Sequence, residues 1–270
     1  TDLYARPHKH GGAWMDSMQS RRKLDDGTLQ KPIATLTCNF AKASGNKPAC
    51  LSHDEVVTLF HEMGHCLHHL LTQVDYLGAS GINGVEWDAV ELPSQFFENW
   101  CWEHSALLSM STHVDTGEPL PEVLYTRLIE SKNFQSAMGL LRQMEYSLFD
   151  FRLHEEPVSK ESLVADILSE VRSKTSIIPP ASYNRFQHSF SHIFGGGYAA
   201  GYYSYSWAEV LSSDAFSRFE EEGVFNTNTG HDFLKHILEV GSSKPAAEAF
   251  ENFRGRAPTI DALLRHNGIQ

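Results

Sequence analysis

The sequence predicts a mostly α-helical bundle with a small β-sheet near its N-terminus. Three observations carry this. Apolar residues recur at three- and four-residue spacing through most of the chain after Ser52, as amphipathic helices require. Only one early stretch, residues 32–40 (PIATLTCNF), alternates apolar and polar like a half-buried strand. A chain of 270 residues with 41% hydrophobic residues has enough apolar side chains for a sizeable core.

Taken in order, the strand at 32–40 ends in the polar KASGNKP loop and forms the candidate edge to which an extended peptide could add. Ser52 followed by Glu55 is a capping box, so a helix is expected from about His53 to Gln73. Gly78, Gly81 and Gly84 mark a connection. A second helix is expected from about Ala89 to Met110, with Pro93 tolerated in its first turn. Residues 121–133, 135–156 and 160–175 read as three amphipathic helices, broken by Pro179 and Pro180. After a glycine-rich turn, Ala199 to Glu222 reads as a helix, and short helices around His231–Val240 and Pro258–His266 close the chain.

Charge and composition exclude several classes. The 34 acidic against 22 basic residues give a formal net charge of -12, with no basic cluster larger than Arg21–Lys23, so nucleic acid is not an expected partner. No apolar run approaches the ~18 residues of a membrane span. The four cysteines never form CxxC and read as reduced thiols. A cytoplasmic, monomeric protein is expected. The opening TDLYARPHKHGGAWMD reads like the interior of a longer protein.

The stretch TLFHEMGHCLHHLL, residues 58–71, holds HExxH at His61, Glu62 and His65. At about 100° per residue the two histidines stand about 40° apart and can converge on one ion, while Glu62 is offset toward a water. Leu59, Met63, Leu67 and Leu70 take the other side and are assigned to the core. A wet helix face is the plain alternative. A third ligand would come from Glu86, Asp88, Glu91 or Glu98; Glu91 can reach across an antiparallel helix pair, and Glu98, seven residues on, could orient a ligand histidine. His68 and His69 are expected to neighbour the site or lie on the surface. His8, His10 and His104 lack ligand spacing. Gly195, Gly197 and Ala200 match GxGxxA, but no strand precedes them, which argues against a dinucleotide fingerprint. No GxSxG occurs, and Cys66 reads as a packing residue.

HEMGHCLHHLL, then VELPSQFFENWCWE, then HIFGGGYAAGYYSYSW resemble, in this order, the thimet oligopeptidase family of zinc metallopeptidases. The resemblance runs from GGAWMD to RGRAPTIDALL. It implies a zincin-like catalytic domain over residues 1–270, the C-terminal part of a longer chain. It also implies one zinc ion held by His61, His65 and Glu91, with Glu62 as general base. Tyr198, Tyr205 and His192 would assist catalysis. The expected activity is endopeptidase hydrolysis of short peptides. The alternative is a fragment that binds metal or peptide and cleaves poorly, because one wall of a substrate channel is missing.

Overall fold

In the computed structural model, which describes residues 1–46, 48–155 and 161–269, the mostly helical class and the small N-terminal sheet are both present. The strands are β1 (Asp2–Tyr4), β2 (Trp14–Gln19), β3 (Arg22–Lys23), β4 (Leu29–Gln30) and β5 (Ile33–Phe40). β3 and β4 form a separate two-stranded ribbon. The other three strands pair in the order β1-β5-β2, with β1 parallel and β2 antiparallel to β5. This corrects the expectation of an edge at residues 32–40. β5 is the central strand, paired with β2 on one side and, over Thr37–Phe40, with β1 on the other, so it is not the edge of the sheet. The flanking strands come from a sequence too short and too weakly alternating to announce itself: β2 has six residues and β1 three.

The helices are α1 (His53–Leu70), α2 (Leu92–Glu98), α3 (His104–Met110), α4 (Glu122–Lys132), α5 (Ser136–Glu155), α6 (Glu161–Thr175), α7 (Ser191–Phe194), α8 (Ser204–Glu222), α9 (Thr227–Phe233), α10 (Ala246–Arg254) and α11 (Asp261–His266). α1 opens on the expected capping box, with Ser52 accepting from Glu55 N and Glu55 accepting from Ser52 N. It ends at Leu70, three residues before the expected Gln73. The expected helix 89–110 is in three pieces: α2, a 3-10 turn Asn99–Trp102, and α3 after an extended Glu103. Asn99 explains the change of winding, because its side-chain amide donates to the carbonyls of Gln95 and Phe96 and competes with the helix ladder. α8 begins at Ser204 rather than Ala199, and α10 was not foreseen. α9 runs into a π-wound segment, Leu234–Leu238. Residues 156–160, which include the ends of two expected helices, and Lys47 of the KASGNKP loop lie outside the described residues.

Three apolar cores organise these elements. Leu36, Cys38 and Phe40 of β5 pack on Cys66 and Leu59 of α1. Phe96 of α2, Phe216 and Phe219 of α8, Phe233 of α9 and Phe253 of α10 form the largest core, with Phe96 stacked on Phe233 at 3.8 Å between ring centroids. Phe149 of α5, Ile167 and Leu168 of α6, Phe190, Ile193 and Tyr202 form the third. α1 is therefore held between the sheet and α2. Its contact with α2 is close because position 64 is glycine: a Cβ there would stand 2.6 Å from Ser94 Cα and 2.7 Å from the Pro93 carbonyl oxygen. Cys38, Cys66 and Cys101 are buried and unbridged, as free thiols. No described helix is long and apolar enough to cross a membrane.

Candidate metal centre

The contact between α1 and α2 brings His61, His65 and Glu91 together. Their ligand atoms all lie within 4.8 Å of one another. His61 Nε2 and His65 Nε2 stand 3.3 and 3.1 Å from the same oxygen, Glu91 Oε2. Glu91 is 1% exposed and sits one residue before α2, not inside its first turn as expected. The short approach at Gly64 is what allows this reach.

His61 and Glu91 are each held from behind. His61 Nδ1 lies 2.6 Å from Glu98 Oε1, which keeps a proton on Nδ1 and makes Nε2, facing Glu91, the nitrogen that can give up its proton to a cation. Ser94 Oγ is 2.9 Å from both Glu91 Oε2 and the Glu91 carbonyl oxygen and donates between them. Tyr198 donates its hydroxyl to Glu91 Oε1. His65 Nδ1 is buried with no hydrogen-bond partner among the described residues. Two imidazole lone pairs and a carboxylate oxygen turned on one another repel unless a proton or a cation lies between them. Two histidines and a glutamate are also a donor set that suits zinc with one position left open. The residues therefore fit the ion that the sequence implies.

Electrostatics agree. Burial alone would lower the His61 pKa, but Glu91 and Glu98 outweigh it and hold the imidazole at about 10. Binding a cation at the cluster accordingly releases a proton. Burial opposes the Glu91 charge, yet His61 and His65 keep that carboxyl well below its usual range. For Glu62 burial wins: its carboxyl is pushed up despite His61 and His65, and its Oε2 is buried without a partner among the described residues. A carboxylate that is near the cluster, raised in pKa and free to accept is suited to take a proton.

Above the cluster lies the segment from the short α7 to the start of α8. Tyr198 and Tyr205 stack at 4.8 Å, and the ring of His192 lies 6.0 and 6.1 Å from theirs. Burial first, and then the neighbouring Glu91, raise both tyrosine hydroxyls above their ordinary pKa, so both stay protonated and able to donate. His192 itself is exposed and makes ring contacts with these tyrosines rather than with the three ligands.

Some assignments on α1 change. Met63 and Leu70 are each 39% exposed and do not belong to the core. His68 and His69 are 3% and 0% exposed, so neither is a surface residue. His69 Nε2 contacts the Gln19 carbonyl and Ser17 Oγ at 2.9 and 3.2 Å, tying α1 to β2. The helix is covered on more than one side, which a two-face reading of its sequence does not anticipate. Ser94 was not foreseen as a support for Glu91, although its place in VELPSQ, three residues after the ligand, was a usable signal.

A helical fold with two histidines of one helix facing a glutamate beside the next defines the class: a helical domain with a group that could hold a metal ion. The chain belongs to peptidase family M3, a family of zinc metallopeptidases whose model matches residues 1–269. It is 58% identical to oligopeptidase A of Haemophilus influenzae over 269 residues, and 56% identical to oligopeptidase A of Escherichia coli over 270 residues. These alignments cover 99% and 100% of this chain and 40% of each relative, so the chain spans about 40% of the length of the curated relatives it matches. Among solved structures, PZ peptidase A with inhibitor 2 superposes with a TM-score of 0.67 at 17% identity, covering 99% of this chain and 42% of that one. That likeness is one of fold.

Proposed function

We propose that this chain is the metal-bearing, catalytic part of a zinc-dependent endopeptidase acting on short peptides in the cytoplasm. The observation that carries the proposal is the convergence of His61 Nε2, His65 Nε2 and Glu91 Oε2, beside Glu62, whose buried Oε2 has no partner among the described residues. The relatives named oligopeptidase A support the substrate class. His61, His65 and Glu91 would hold the ion. Zinc bound there supplies Lewis acidity, making a water nucleophilic near neutral pH and polarising the scissile carbonyl.

The chain's own side chains do the remaining work. Glu62 takes the proton from the attacking water and later gives it to the leaving amine, a cycle favoured by a carboxyl whose pKa burial has raised. Tyr205, with Tyr198 beside it, donates a hydrogen bond to the developing oxyanion, a contribution typically worth about 2.7 to 4 kcal/mol. Tyr198 also donates to Glu91, so it steadies a ligand as well as facing the reaction. His192 flanks the tyrosine pair.

A quenched fluorogenic peptide assay tests this. Cleavage should stop with a chelator and return with zinc. Glu62→Gln should retain one zinc per chain while losing nearly all turnover, and comparable turnover in that variant would remove Glu62 from the base role. Stoichiometric zinc without chelator-sensitive cleavage would favour the second reading, a metal-binding fragment that needs the remainder of a longer chain. The roughly 40% span of the relatives is the observation behind that reading.

A further inference from the structure

Asp150 is completely buried on α5, in a part of the molecule distant in sequence from the metal ligands. One of its oxygens accepts the backbone N–H of Ala200 at 2.9 Å and the other accepts that of Tyr202, also at 2.9 Å. His154 Nδ1 lies 3.0 Å from the first oxygen and completes the surroundings of the carboxylate. The two amides belong to the turn between Tyr198 and Tyr205, where Ala200 has a left-handed φ of +54° although it is not glycine. The turn leads directly into α8, whose own N-cap residue, Tyr203, makes no side-chain capping bond. Asp150 thus clamps, from another element, two amides of the turn that precedes α8, with charge-assisted hydrogen bonds.

Further contacts define what the clamp holds. The Tyr202 hydroxyl reaches Gln143 Oε1, also on α5, at 3.2 Å, and Gln95 Nε2 of α2 donates to the Tyr205 carbonyl at 3.1 Å. Gly201 closes the turn on the Tyr198 carbonyl at 2.9 Å, and a Cβ at that glycine would meet Trp87 at 2.7 Å, the ring that packs on Tyr198. Immediately upstream are Gly195, Gly196 and Gly197, the most permissive backbone in the chain. A segment that starts in three glycines needs an external anchor to hold two tyrosines over a metal cluster.

We infer that Asp150 is a positioning residue for the reaction: through its two backbone hydrogen bonds it fixes the Tyr198–Tyr205 turn over the metal cluster. The inference rests on the reading of Tyr205, with Tyr198 beside it, as the oxyanion donor. Asp150 touches neither substrate nor metal ligand, so its loss is expected in turnover rather than in binding. In Asp150→Asn one oxygen is replaced by an NH2 group that faces an N–H, and one clamp bond is lost.

Two measurements test the inference separately from the peptidase reading. The first is native-state hydrogen exchange of the unaltered protein without substrate. The Ala200 amide should exchange at least about 100-fold more slowly than that of Ala199, whose N–H has no partner among the described residues. Equal exchange of the two overturns the clamp, whatever the activity. The second is kinetics of Asp150→Asn on the fluorogenic peptide, with zinc content measured in parallel. The expected result is kcat lowered at least tenfold, KM within threefold and zinc unchanged. Unchanged kcat, or a loss that follows zinc or global unfolding, overturns the positioning role. If the unaltered protein cleaves nothing, the peptidase reading fails, while the exchange experiment still decides the clamp.

Discussion

Glu98 donates no ligand to the candidate centre, yet it sets the chemistry of one. Its 2.6 Å contact with His61 Nδ1 decides which ring nitrogen is free, and such supports typically contribute 10- to 100-fold to metal affinity. Glu98→Ala should therefore weaken zinc binding by about that factor, measured by competition with a chromophoric chelator; an unchanged affinity would reduce Glu98 to a nearby charge. At this scale the sequence was informative wherever the chemistry is local. HExxH declares itself by helical spacing, and Glu98 by lying seven residues beyond Glu91. Asp150 and His69 were not legible, because their backbone partners lie 50 or more residues away and nothing in the local pattern of either signals a backbone acceptor or donor.

The contact between α1 and α2 is the element on which the centre depends. Two helices approach this closely only where one lacks a side chain, and Gly64 is that position. Gly64→Ala would favour α1 by intrinsic propensity, by up to about 1 kcal/mol, but its Cβ would press on backbone at Ser94 and Pro93, which cannot rotate away. The contact should win, since overpacking costs about 1 to 3 kcal/mol. A lowered midpoint in urea together with zinc affinity reduced more than tenfold is the expected result. A stabilised variant with unaltered affinity would show that the helices can part without moving Glu91. The capping box and the alternation of residues 32–40 placed α1 and β5 correctly, because both signals are contained within a few residues. The central place of β5 was hidden, since strand order depends on β1 and β2, which are brief. The breaks between α2 and α3 follow from side chains that satisfy the backbone locally, at Asn99, rather than from any loss of apolar periodicity.

For the whole molecule, α8 links the site to the end of the chain. Tyr205 in its first turn stacks on Tyr198 beside the candidate centre, while its middle and far end are clasped by the C-terminal segment. Asp214, 0% exposed, is bound at 2.6 Å by two nitrogens of Arg256, at 2.7 Å by Thr259 N and at 3.2 Å by Arg254 Nε. Glu220 pairs with Arg265 at 2.5 Å and His266 at 2.9 Å. Burial would raise both carboxyls, but Arg256, Thr259 and Arg254 outweigh it at Asp214, which is held below its usual range, and His266 and Arg265 hold Glu220 at about 2. Folded pKa values below the unfolded ones mean that the folded state binds fewer protons than the unfolded state. The stabilisation is therefore complete above about pH 5 and lost as the pH falls through the unfolded values toward about 2. Removing one partner of a buried ion pair costs about 3 to 5 kcal/mol, the scale expected for Asp214→Asn at pH 7. The partly exposed Glu220 should contribute on the order of 1 kcal/mol after solvent screening. Urea unfolding from pH 7 to pH 3 should show a steep acid loss in the unaltered protein. The double variant Asp214→Asn, Glu220→Gln should start lower at pH 7 and lose less on acidification, so that the two curves converge. Parallel curves would show that the clasp carries no pH-dependent stability.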